Sequence, residues 1–442
     1  MPDDVLYFFE KNKEGGLFLE SKKIIQVEDK VPASLLFPLS LQHMFAMFGA
    51  SVLVPIIFQI NPSVVLLMNG IGTLLFFLIT KGKAPAYLGS SFAFLAPAGL
   101  VISKWGYQDA LGGFIAVGLG LCILSFVIYK FGIKWIDIVL PAAAMGPVVA
   151  LIGLELAGTA ASTAGILPGD DGTVDSKNVI VFIVTLAFAI FGNVLFKKFF
   201  AVIPILIAII AGYITALITG VVEPAVVSDA VHTSFFVMPN FQAPHFNFEA
   251  IIMIFPVILV LASEHIGHQI VTSKIVERDL LKDPGLHRSL FADGLSTVLS
   301  GLVGSVPTTT YGENIGVMAM TKVYSIQVIG GAAVLSIIAS FVGPVAALIQ
   351  TIPGPVIGGI SFLLYGTIGA SGIRVIVDGR VDYSGSRNLT LTSVIFVVGL
   401  SGIALTIFNV TLTGMVLAAI VGMILSLLFY IFDKLGWTND KN

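Results

Sequence analysis

The sequence predicts an all-α polytopic membrane protein with fourteen transmembrane segments arranged as a 7+7 inverted repeat. Three observations lead to this prediction: an apolar composition, a one-sided distribution of Lys and Arg, and motifs that recur seven segments apart. Of the 442 residues, 56% are hydrophobic and 11% are charged, and the mean hydropathy is +0.99. Soluble domains carry about 25% charged residues, so an ordinary soluble protein is excluded. The net charge of -3 gives no indication of a nucleic-acid partner.

A membrane span needs about 20 mostly apolar residues, and fourteen such segments follow a charged N-terminal stretch. Residues 1–33 are mixed in charge and lack the continuous apolar region of a signal peptide, which predicts a cytoplasmic tail. Segments three and ten are too polar or too rich in glycine to be ordinary helices. The predicted segments are 36–58, 63–80, 86–103, 109–129, 135–157, 178–196, 199–220, 248–273, 289–304, 305–321, 324–350, 353–373, 388–407 and 411–432.

The positive charges test this count, because Lys and Arg are enriched on the cytoplasmic side of membrane proteins. With the N-terminus inside, the predicted inside segments hold 21 of the 23 Lys and Arg residues, and the outside segments hold only Lys104 and Lys177. A miscounted span early in the chain would scramble this asymmetry. The sequence therefore predicts an even number of spans, with both termini in the cytoplasm.

Three features recur seven segments apart. The fifth and twelfth segments share a Pro followed five residues later by Gly, starting at Pro141 and Pro353. The first and eighth each carry an acceptor beside a histidine, Gln42-His43 and Glu264-His265, and the third and tenth are the interrupted ones. A repeat of seven, an odd number, must run in opposite directions through the membrane. Inverted repeats with interrupted helices are typical of secondary transporters with a site near the midplane.

The stretch Ser305–Lys322 is polar, rich in threonine and broken by Pro and Gly, although it lies between apolar runs. A lipid-exposed segment cannot have this composition, because each unpaired backbone group in hydrocarbon costs several kcal/mol. The stretch therefore predicts a cavity inside the helical bundle. Glu313 lies at its centre, and an ionisable residue at membrane depth indicates a functional site.

A second carboxylate, Glu264, precedes His268 by four residues, so both lie on one face of the eighth helix. A buried carboxyl group and an imidazole can share or pass a proton. Structural roles remain open: Glu264 could pair with a neighbouring helix, although no Lys or Arg lies within a membrane segment, and His268 could make an interhelical hydrogen bond. His265 is predicted to be structural.

Gly312 marks the point at which an extended stretch is predicted to become a half-helix, with Glu313 in its first turn. The third segment is predicted to make the same change from extended chain to half-helix around Ser91 and Phe92. Helix N-termini present unpaired N–H groups and a partial positive charge. Two half-helices and two carboxylates thus offer donors and acceptors together, which predicts a small planar solute bearing both N–H and C=O groups.

Two roles are predicted for most of the neighbouring aromatic and polar residues. Phe92, Phe94 and Tyr311 are predicted either to stack on the solute or to pack in the apolar interior. Asn314 either braces the half-helix or caps it, and His43 is predicted to be a hydrogen-bonding strut to the interrupted segments. Among the glycines, Gly358, Gly359 and Gly366 are predicted to lie at close helix contacts.

Two further acidic residues, Glu155 and Asp293, are predicted to lie near the outer and inner interfaces and to be solvated or structural. The single cysteine, Cys122, cannot form a disulfide within the chain. The sequence holds no P-loop and no His-x-Glu or Cys-x-x-Cys pair. It therefore predicts no enzyme, no metal site and no cofactor. Since no nucleotide-binding domain is evident either, the driving force is predicted to be an ion gradient.

The stretch Glu313–Lys322 resembles the signature of the nucleobase–ascorbate transporter family, also called nucleobase:cation symporter-2. That signature is an acidic or amide residue, Asn, one position, Gly, four positions, Thr and a basic or small residue. Gln42-His43 matches the Gln-His motif of the family's first helix. From about residue 36 to 432 the chain is similar to the bacterial uracil permeases of this family, most closely in residues 86–94, 264–268, 283–288 and 310–314.

The resemblance implies a core domain of segments 1–4 and 8–11 and a gate domain of segments 5–7 and 12–14. It also implies short antiparallel strands in segments three and ten, and a homodimer formed through the gate domains. The implied boundaries are a tail at 1–33, core parts at 34–130 and 221–350, gate parts at 131–220 and 351–433, and a C-terminal tail at 434–442.

The resemblance further implies uracil import by proton symport, with alternating access, in the cell (inner) membrane. The implied substrate-binding residues are Glu264, Glu313, Phe92, Gly312, Tyr311 and Ala50. Proton coupling is implied for Glu264 and His268, and support of the site for His43, Gln42, Ser91 and Asn314. Purine-transporting members often carry Gln at the position of Glu313, so Glu favours uracil. A purine or xanthine:proton symporter of the same fold remains an alternative. An anion exchanger is disfavoured, because carboxylates without a fixed cation repel an anion.

Overall fold

The computed structural model describes residues 8–11, 17–20, 24–169, 172–197, 200–201, 203–407 and 410–438, which are mainly helical. The helices are α1 (Ala33–Ile57), α2 (Pro62–Ile79), α3 (Leu95–Trp105), α4 (Tyr107–Phe131), α5 (Ile136–Val139), α6 (Ala142–Glu155), α7 (Ala157–Thr163), α8 (Ser176–Leu195), α9 (Pro204–Thr219), α10 (Pro224–Val231), α11 (Phe248–Ile254), α12 (Val257–Val276), α13 (Leu286–Val303), α14 (Gly312–Thr321), α15 (Ile326–Ser340), α16 (Gly343–Gln350), α17 (Gly354–Asp378), α18 (Ser386–Leu400) and α19 (Gly414–Lys434).

The strands form three separate antiparallel pairs. They are β1 (Phe8–Lys11) with β2 (Leu17–Glu20), β3 (Leu88–Ser90) with β4 (Thr308–Thr310), and β5 (Ala404–Ile407) with β6 (Val410–Thr413). A 3-10 turn over Phe92–Phe94 joins β3 to α3, and a π-helical turn over Leu281–Gly285 precedes α13.

Among the described residues, eight stretches of helix have the length and composition to cross a membrane. They are Ala33–Ile57, Pro62–Ile79, Tyr107–Phe131, Ala142–Thr163, Ser176–Leu195, Phe248–Val276, Gly354–Asp378 and Gly414–Lys434. Four shorter apolar helices are Phe92–Trp105, Pro204–Thr219, Ile326–Ser340 and Ser386–Leu400. With α13 and α14, these stretches each overlap one of the fourteen predicted segments.

Four of the segments that were predicted as uninterrupted helices are divided, and one of them is the eighth, which consists of α11 and α12. The fifth divides into α5 and α6 before Pro141, whose ring nitrogen cannot donate a helical hydrogen bond. The eleventh divides after Ser340 into α15 and α16. In the thirteenth segment, helix α18 ends at Leu400. Gly402 then adopts a left-handed φ of 72°, and the chain enters the β5–β6 hairpin. The connection 221–247, between the seventh and eighth predicted segments, contains α10.

The helices pack in pairs that recur along the chain. α2 packs along α15 and α4 packs along α13, while α8 packs along α9 and α18 along α19. α2, α15, α8 and α9 lie in predicted segments 2, 11, 6 and 7, and the helices seven segments away are α13, α4, α18 and α19. The pair α2–α15 therefore corresponds to the pair α13–α4, and α8–α9 corresponds to α18–α19. The contact of α1 with α9 likewise becomes that of α12 with α19, and α6 with α17 maps onto itself.

The crossing of α6 and α17 is tight because glycines bring the two backbones together. A Cβ on Gly153 would overlap the carbonyl oxygen of Tyr365, and a Cβ on Gly372 would overlap the backbone nitrogen of Ala150. Gly366 was predicted to lie at such a contact, but it faces open space. It is one residue beyond Tyr365 and is therefore turned away from the contact face of α17.

The β3–β4 pair lies in the interior and joins the two interrupted segments. Its register pairs Leu88 with Thr310, Gly89 with Thr309 and Ser90 with Thr308, and all six residues are buried. The pairing satisfies backbone groups that would otherwise be unpaired in the interior. Short antiparallel strands in these two segments agree with the expectation from the family resemblance.

Backbone hydrogen bonds extend the pair by one step at each end. The N–H of Ser91 donates to Pro307 O at 2.9 Å, and the N–H of Tyr311 donates to Tyr87 O at 2.9 Å. Each strand is therefore followed directly by a half-helix, α3 after the 3-10 turn and α14 after Tyr311. Both half-helices begin at the sheet.

Two threonines clasp the first residue of each strand. Thr73 of α2 accepts from the N–H of Leu88 at 2.9 Å, and Thr297 of α13 donates to Thr308 O at 2.9 Å and accepts from its N–H at 3.3 Å. Both side chains are buried. The two clasps occupy equivalent places in the second and ninth predicted segments.

Replacing Thr73 or Thr297 by Val should lower the melting temperature of the detergent-purified protein, because each change leaves a buried strand N–H without its acceptor, at about 1–3 kcal/mol. Thr185→Val is the matched control: Thr185 is equally buried, but its hydroxyl donates only to Val181 O within its own helix. A smaller shift for Thr73→Val and Thr297→Val than for the control would contradict the role of the clasps.

Candidate functional site

A cavity of about 290 Å³ lies where β4 and the start of α14 face α12 and α17. Glu264 and His268 enter it from α12. Tyr311, Gly312 and Glu313 enter it from the turn between β4 and α14. The cavity is thus built on the second interrupted segment, and both carboxylates singled out from the sequence line it.

Glu313 owes its position to the change from strand to helix at Gly312. Tyr311 has extended φ and ψ of -95° and 125°, α14 begins at the next residue, and Glu313 lies in its first turn. The free N–H groups and partial positive charge of a helix N-terminus favour an acidic side chain there. Gly312 itself is exposed to the cavity, so its backbone is accessible to a ligand.

Glu264 and His268 share one face of α12, as their spacing predicts. His268 Nδ1 lies 3.0 Å from Thr310 Oγ1, which fixes the ring against β4. The other ring nitrogen, Nε2, is directed at Gly312, where an added Cβ would lie 3.4 Å from it. Glu264 Oε2 has no hydrogen-bond partner among the described residues. A carboxyl oxygen in this setting is available to a ligand.

Two aromatic residues form walls of the cavity. The Phe92 ring makes an edge-to-face contact with Tyr365 of α17, with centroids 5.9 Å apart. The Tyr311 hydroxyl donates to Ser90 O at 3.2 Å, and its ring lies so close to Gly89 that no side chain fits there. Phe94, the third aromatic candidate, packs on Phe114 instead and does not line the cavity.

The residues expected to support the site lie behind this wall. Asn314 Nδ2 donates to His43 O at 3.1 Å and lies 3.2 Å from His43 Nδ1, which ties α14 to α1. Gln42 and Ser91 are buried but do not line the cavity. Ala50 lies in α1, and its side chain is outside the described residues.

Asp293 and His265 form a buried network that the sequence analysis did not foresee. His265 Nδ1 lies 2.9 Å from Asp293 Oδ2, and its Nε2 lies 2.9 Å from Ser289 Oγ. Thr309 Oγ1 donates to the same carboxylate oxygen at 3.3 Å. Asp293 is only 1% exposed, so of the two roles expected for it, solvated or structural, the structural one applies. The i, i+4 spacing of Ser289 and Asp293 was the available signal.

Other polar residues of the cavity were also missed. Asn193 of α8 and Thr367 and Ser371 of α17 contribute to its lining. An adjoining cavity of about 130 Å³ shares Glu264 and His268 and extends to Arg374 on α17. Among the described residues that line the larger cavity, none is Lys or Arg. The larger cavity therefore offers acceptors, backbone donors and aromatic faces, with no fixed cation among its described lining residues.

Comparison with known proteins gives relatives that span nearly the whole chain. The uracil permease of Escherichia coli (strain K12) is 54% identical over 415 residues, covering 94% of this chain and 96% of the relative. The uracil permease of Paenibacillus larvae subsp. larvae is 52% identical, covering 95% and 99%. That of Bacillus caldolyticus is 45% identical, covering 92% and 95%.

Two solved structures share the fold at low sequence identity. The transmembrane domain of the cyanobacterium bicarbonate transporter BicA has a TM-score of 0.61 and 14% identity, covering 91% of this chain and 100% of that chain. The murine Slc26a9 anion transporter in the inward-facing state has a TM-score of 0.68 and 11% identity, covering 92% and 69%. These likenesses concern the fold alone.

The family model Xan_ur_permease, described as the Permease family, matches residues 35–408. Its members among the relatives are named permeases, which are transporters and not enzymes. With its apolar helices, the chain is a multi-pass membrane protein. On a match over this length and relatives of this identity, the chain belongs to the Permease family, Xan_ur_permease.

Proposed function

We propose that the protein imports uracil across the cell membrane by proton symport. The observation that carries this proposal is that Glu264 and Glu313 face one cavity beside the exposed backbone of Gly312. Uracil is planar and presents both N–H and C=O groups along its edge. Carboxylates accept from N–H groups, and free N–H groups at a helix start donate to C=O groups. The relatives named uracil permeases support the same substrate.

The aromatic walls suit a flat heterocycle. In this proposal Phe92 and Tyr311 contact the faces of the ring, while Gly312 and the backbone at Phe92 contact its polar edge, and Ala50 completes the pocket. Aromatic rings pack favourably in stacked or edge-to-face arrangements. The hydrogen bond from Tyr311 to Ser90 O supports a fixed pocket, because it holds that ring in place before the substrate arrives.

The proton is assigned to Glu264 and His268. A protonated Glu264 removes the cost of moving a buried charge, and its O–H can donate to a uracil carbonyl as well. Thr310 holds Nδ1 of His268 and leaves Nε2 directed at Gly312, where it can exchange a proton with the cavity. The proposal involves no cofactor, since the proton gradient is the driving force.

The proposed architecture has fourteen spans in a 7+7 inverted repeat. The recurring helix contacts support it, since α2–α15 and α4–α13 exchange when seven segments are added. The equivalent clasps made by Thr73 and Thr297 support the same relation. The core domain then comprises 34–130 and 221–350, and the gate domain comprises 131–220 and 351–433. Both termini are cytoplasmic, and the homodimer forms through the gate domains.

The position of the cavity between these proposed domains supports alternating access. Glu264 and Glu313 belong to the core part, whereas Thr367 and Ser371 of α17 belong to the gate part. Lys274 of α12 and Asp378 of α17 form an ion pair at 3.2 Å that crosses the boundary at one end. Movement of one domain against the other would open the cavity to one side of the membrane at a time.

Two alternative transport functions compete with this proposal. A purine or xanthine:proton symporter would use the same fold and cavity, and Glu313 disfavours it only through the family resemblance. An anion exchanger is disfavoured because the described lining residues offer two carboxylates and no Lys or Arg, and like charges at close range repel.

Uptake of labelled uracil into proteoliposomes, with and without an inward proton gradient and with xanthine as competitor, tests the proposal. We expect uptake that the gradient stimulates and that xanthine does not inhibit. Uptake of xanthine in place of uracil would overturn the pyrimidine assignment. Uracil uptake that ignores the gradient would remove the proton role of Glu264 and His268.

Glu313→Gln should weaken uracil binding by roughly tenfold or more, because hydrogen bonds to a charged group are the strong ones and the amide can donate where the carboxylate only accepts. The measurement is the Kd for uracil of the purified variant. Glu223→Gln, an exposed change at the start of α10, is the control. Wild-type affinity in Glu313→Gln would remove Glu313 from the site.

Gly89→Ala should also weaken uracil binding, because the added methyl group displaces the Tyr311 ring from the cavity wall. Overpacking of this kind typically costs about 1–3 kcal/mol. Gly99→Ala is the control, since a Cβ there meets nothing within 4 Å. Equal uracil affinities of the two variants would show that the Tyr311 ring does not shape the pocket.

A further inference from the structure

Residues 24–31, here called the N-terminal strap, cross the ends of two helices that bear the site. Ile25 forms a parallel bridge with Val323, in the connection between α14 and α15. Its N–H donates to Lys322 O at 3.1 Å, and its carbonyl accepts from the N–H of Tyr324 at 2.8 Å. The strap thus pairs by its backbone with the chain that leaves α14.

Further contacts continue this pairing as far as α1. Val27 O accepts from the N–H of Ile326 at 3.0 Å, and Ser325 Oγ donates to Asp29 O at 2.8 Å. The N–H of Val31 donates to Gln327 Oε1 at 3.1 Å. The Val27 side chain is fully buried, and Val31 packs in a small apolar cluster with Val323 and Val328. These contacts hold the backbone of the strap against the chain between α14 and α15.

An ion pair connects the strap to the second helix. α12 ends at Val276 and is followed by Glu277 in a left-handed conformation. Arg278 comes next, and its guanidinium donates to Glu28 Oε1 at 2.5 Å. The hydrogen bond from Arg278 lowers the pKa of Glu28 below its ordinary value of 4.5. Glu28 therefore stays ionised near neutral pH, and the pair is lost only when the pH falls through the lowered pKa.

The two contacted helices carry the proposed substrate carboxylates at some distance from the strap. Glu313 and the C-terminal end of α14 at Thr321 are separated by about 12 Å, and Glu264 and the end of α12 at Val276 by about 18 Å, at 1.5 Å rise per residue. A helix is stiff over such lengths. A contact that fixes the ends of α12 and α14 relative to each other therefore also fixes the relation of Glu264 to Glu313.

We propose that the N-terminal strap is a positioning element of the binding site, which holds the ends of α12 and α14 together and so sets the spacing of Glu264 and Glu313. This inference rests on the proposed function of the cavity. Glu28 and Arg278 are positioning residues, since neither lines the cavity.

Uracil binding to the purified protein, measured by calorimetry, tests the proposal through both Kd and the number of sites. Arg278→Glu should raise Kd about two- to fivefold, since exposed ion pairs are weak, and the double variant Arg278→Glu with Glu28→Arg should restore it. Deletion of residues 1–31 should raise Kd further. Deletion of residues 1–23, which leaves the strap, should leave Kd unchanged.

These variants separate positioning from a purely structural role. A structural role lowers the fraction of active sites and leaves their Kd at the wild-type value. An unchanged Kd in Arg278→Glu, or a double variant that fails to recover, overturns the proposal even if the deletion of residues 1–31 does not fold.

Hydrogen exchange gives a readout that does not depend on uracil. The amides of Tyr324 and Ile326 donate to the strap, and the proposal expects them and the amides at the start of α14 to exchange faster in Arg278→Glu than in the double variant. If wild-type protein binds no uracil, the substrate assignment fails and the exchange result alone decides on the strap. Equal exchange in the two variants overturns it.

Discussion

The pairing of β3 with β4 is the interaction on which the rest of the site depends. Two interrupted segments in an apolar interior contain backbone groups that no helix pairs and that water cannot reach. Such groups must find partners within the protein. Six residues in antiparallel register, with the clasps of Thr73 and Thr297, meet that requirement. Because the strands end where they do, Gly312 and Glu313 start a helix at the cavity rather than at the surface.

Much of this arrangement could be predicted from local sequence. The change from extended chain to helix at Gly312 follows from a Thr-rich stretch that ends in Gly, and the common face of Glu264 and His268 follows from helical spacing. Both inferences depend on neighbours within about one helical turn. The structure accordingly brings these residues to one cavity, together with Phe92 and Tyr311.

The features that the sequence analysis missed depend on contacts between distant parts of the chain. Asp293 was predicted to lie near the inner membrane interface because its depth was judged from its own segment alone. Its partner, His265, lies 28 positions earlier and on another helix. Phe94 and Phe92 could not be told apart by sequence, because a 3-10 turn decides which ring faces the cavity. The break of the eleventh segment after Ser340 differs from these, because Gly343 and Pro344 at the start of α16 were a local signal for it.

The two interrupted segments are alike in backbone but unlike in chemistry. The β3 side brings an aromatic ring and main chain to the cavity, at Ser90 and Phe92, whereas the β4 side brings Thr310 and Glu313, with Glu264 beside them. A scaffold with matching halves would accept a flat molecule either way round. Among the described lining residues, the acidic groups of this cavity come from α12 and α14 and none from the β3 side, so under the proposed function a bound heterocycle would have a defined front and back.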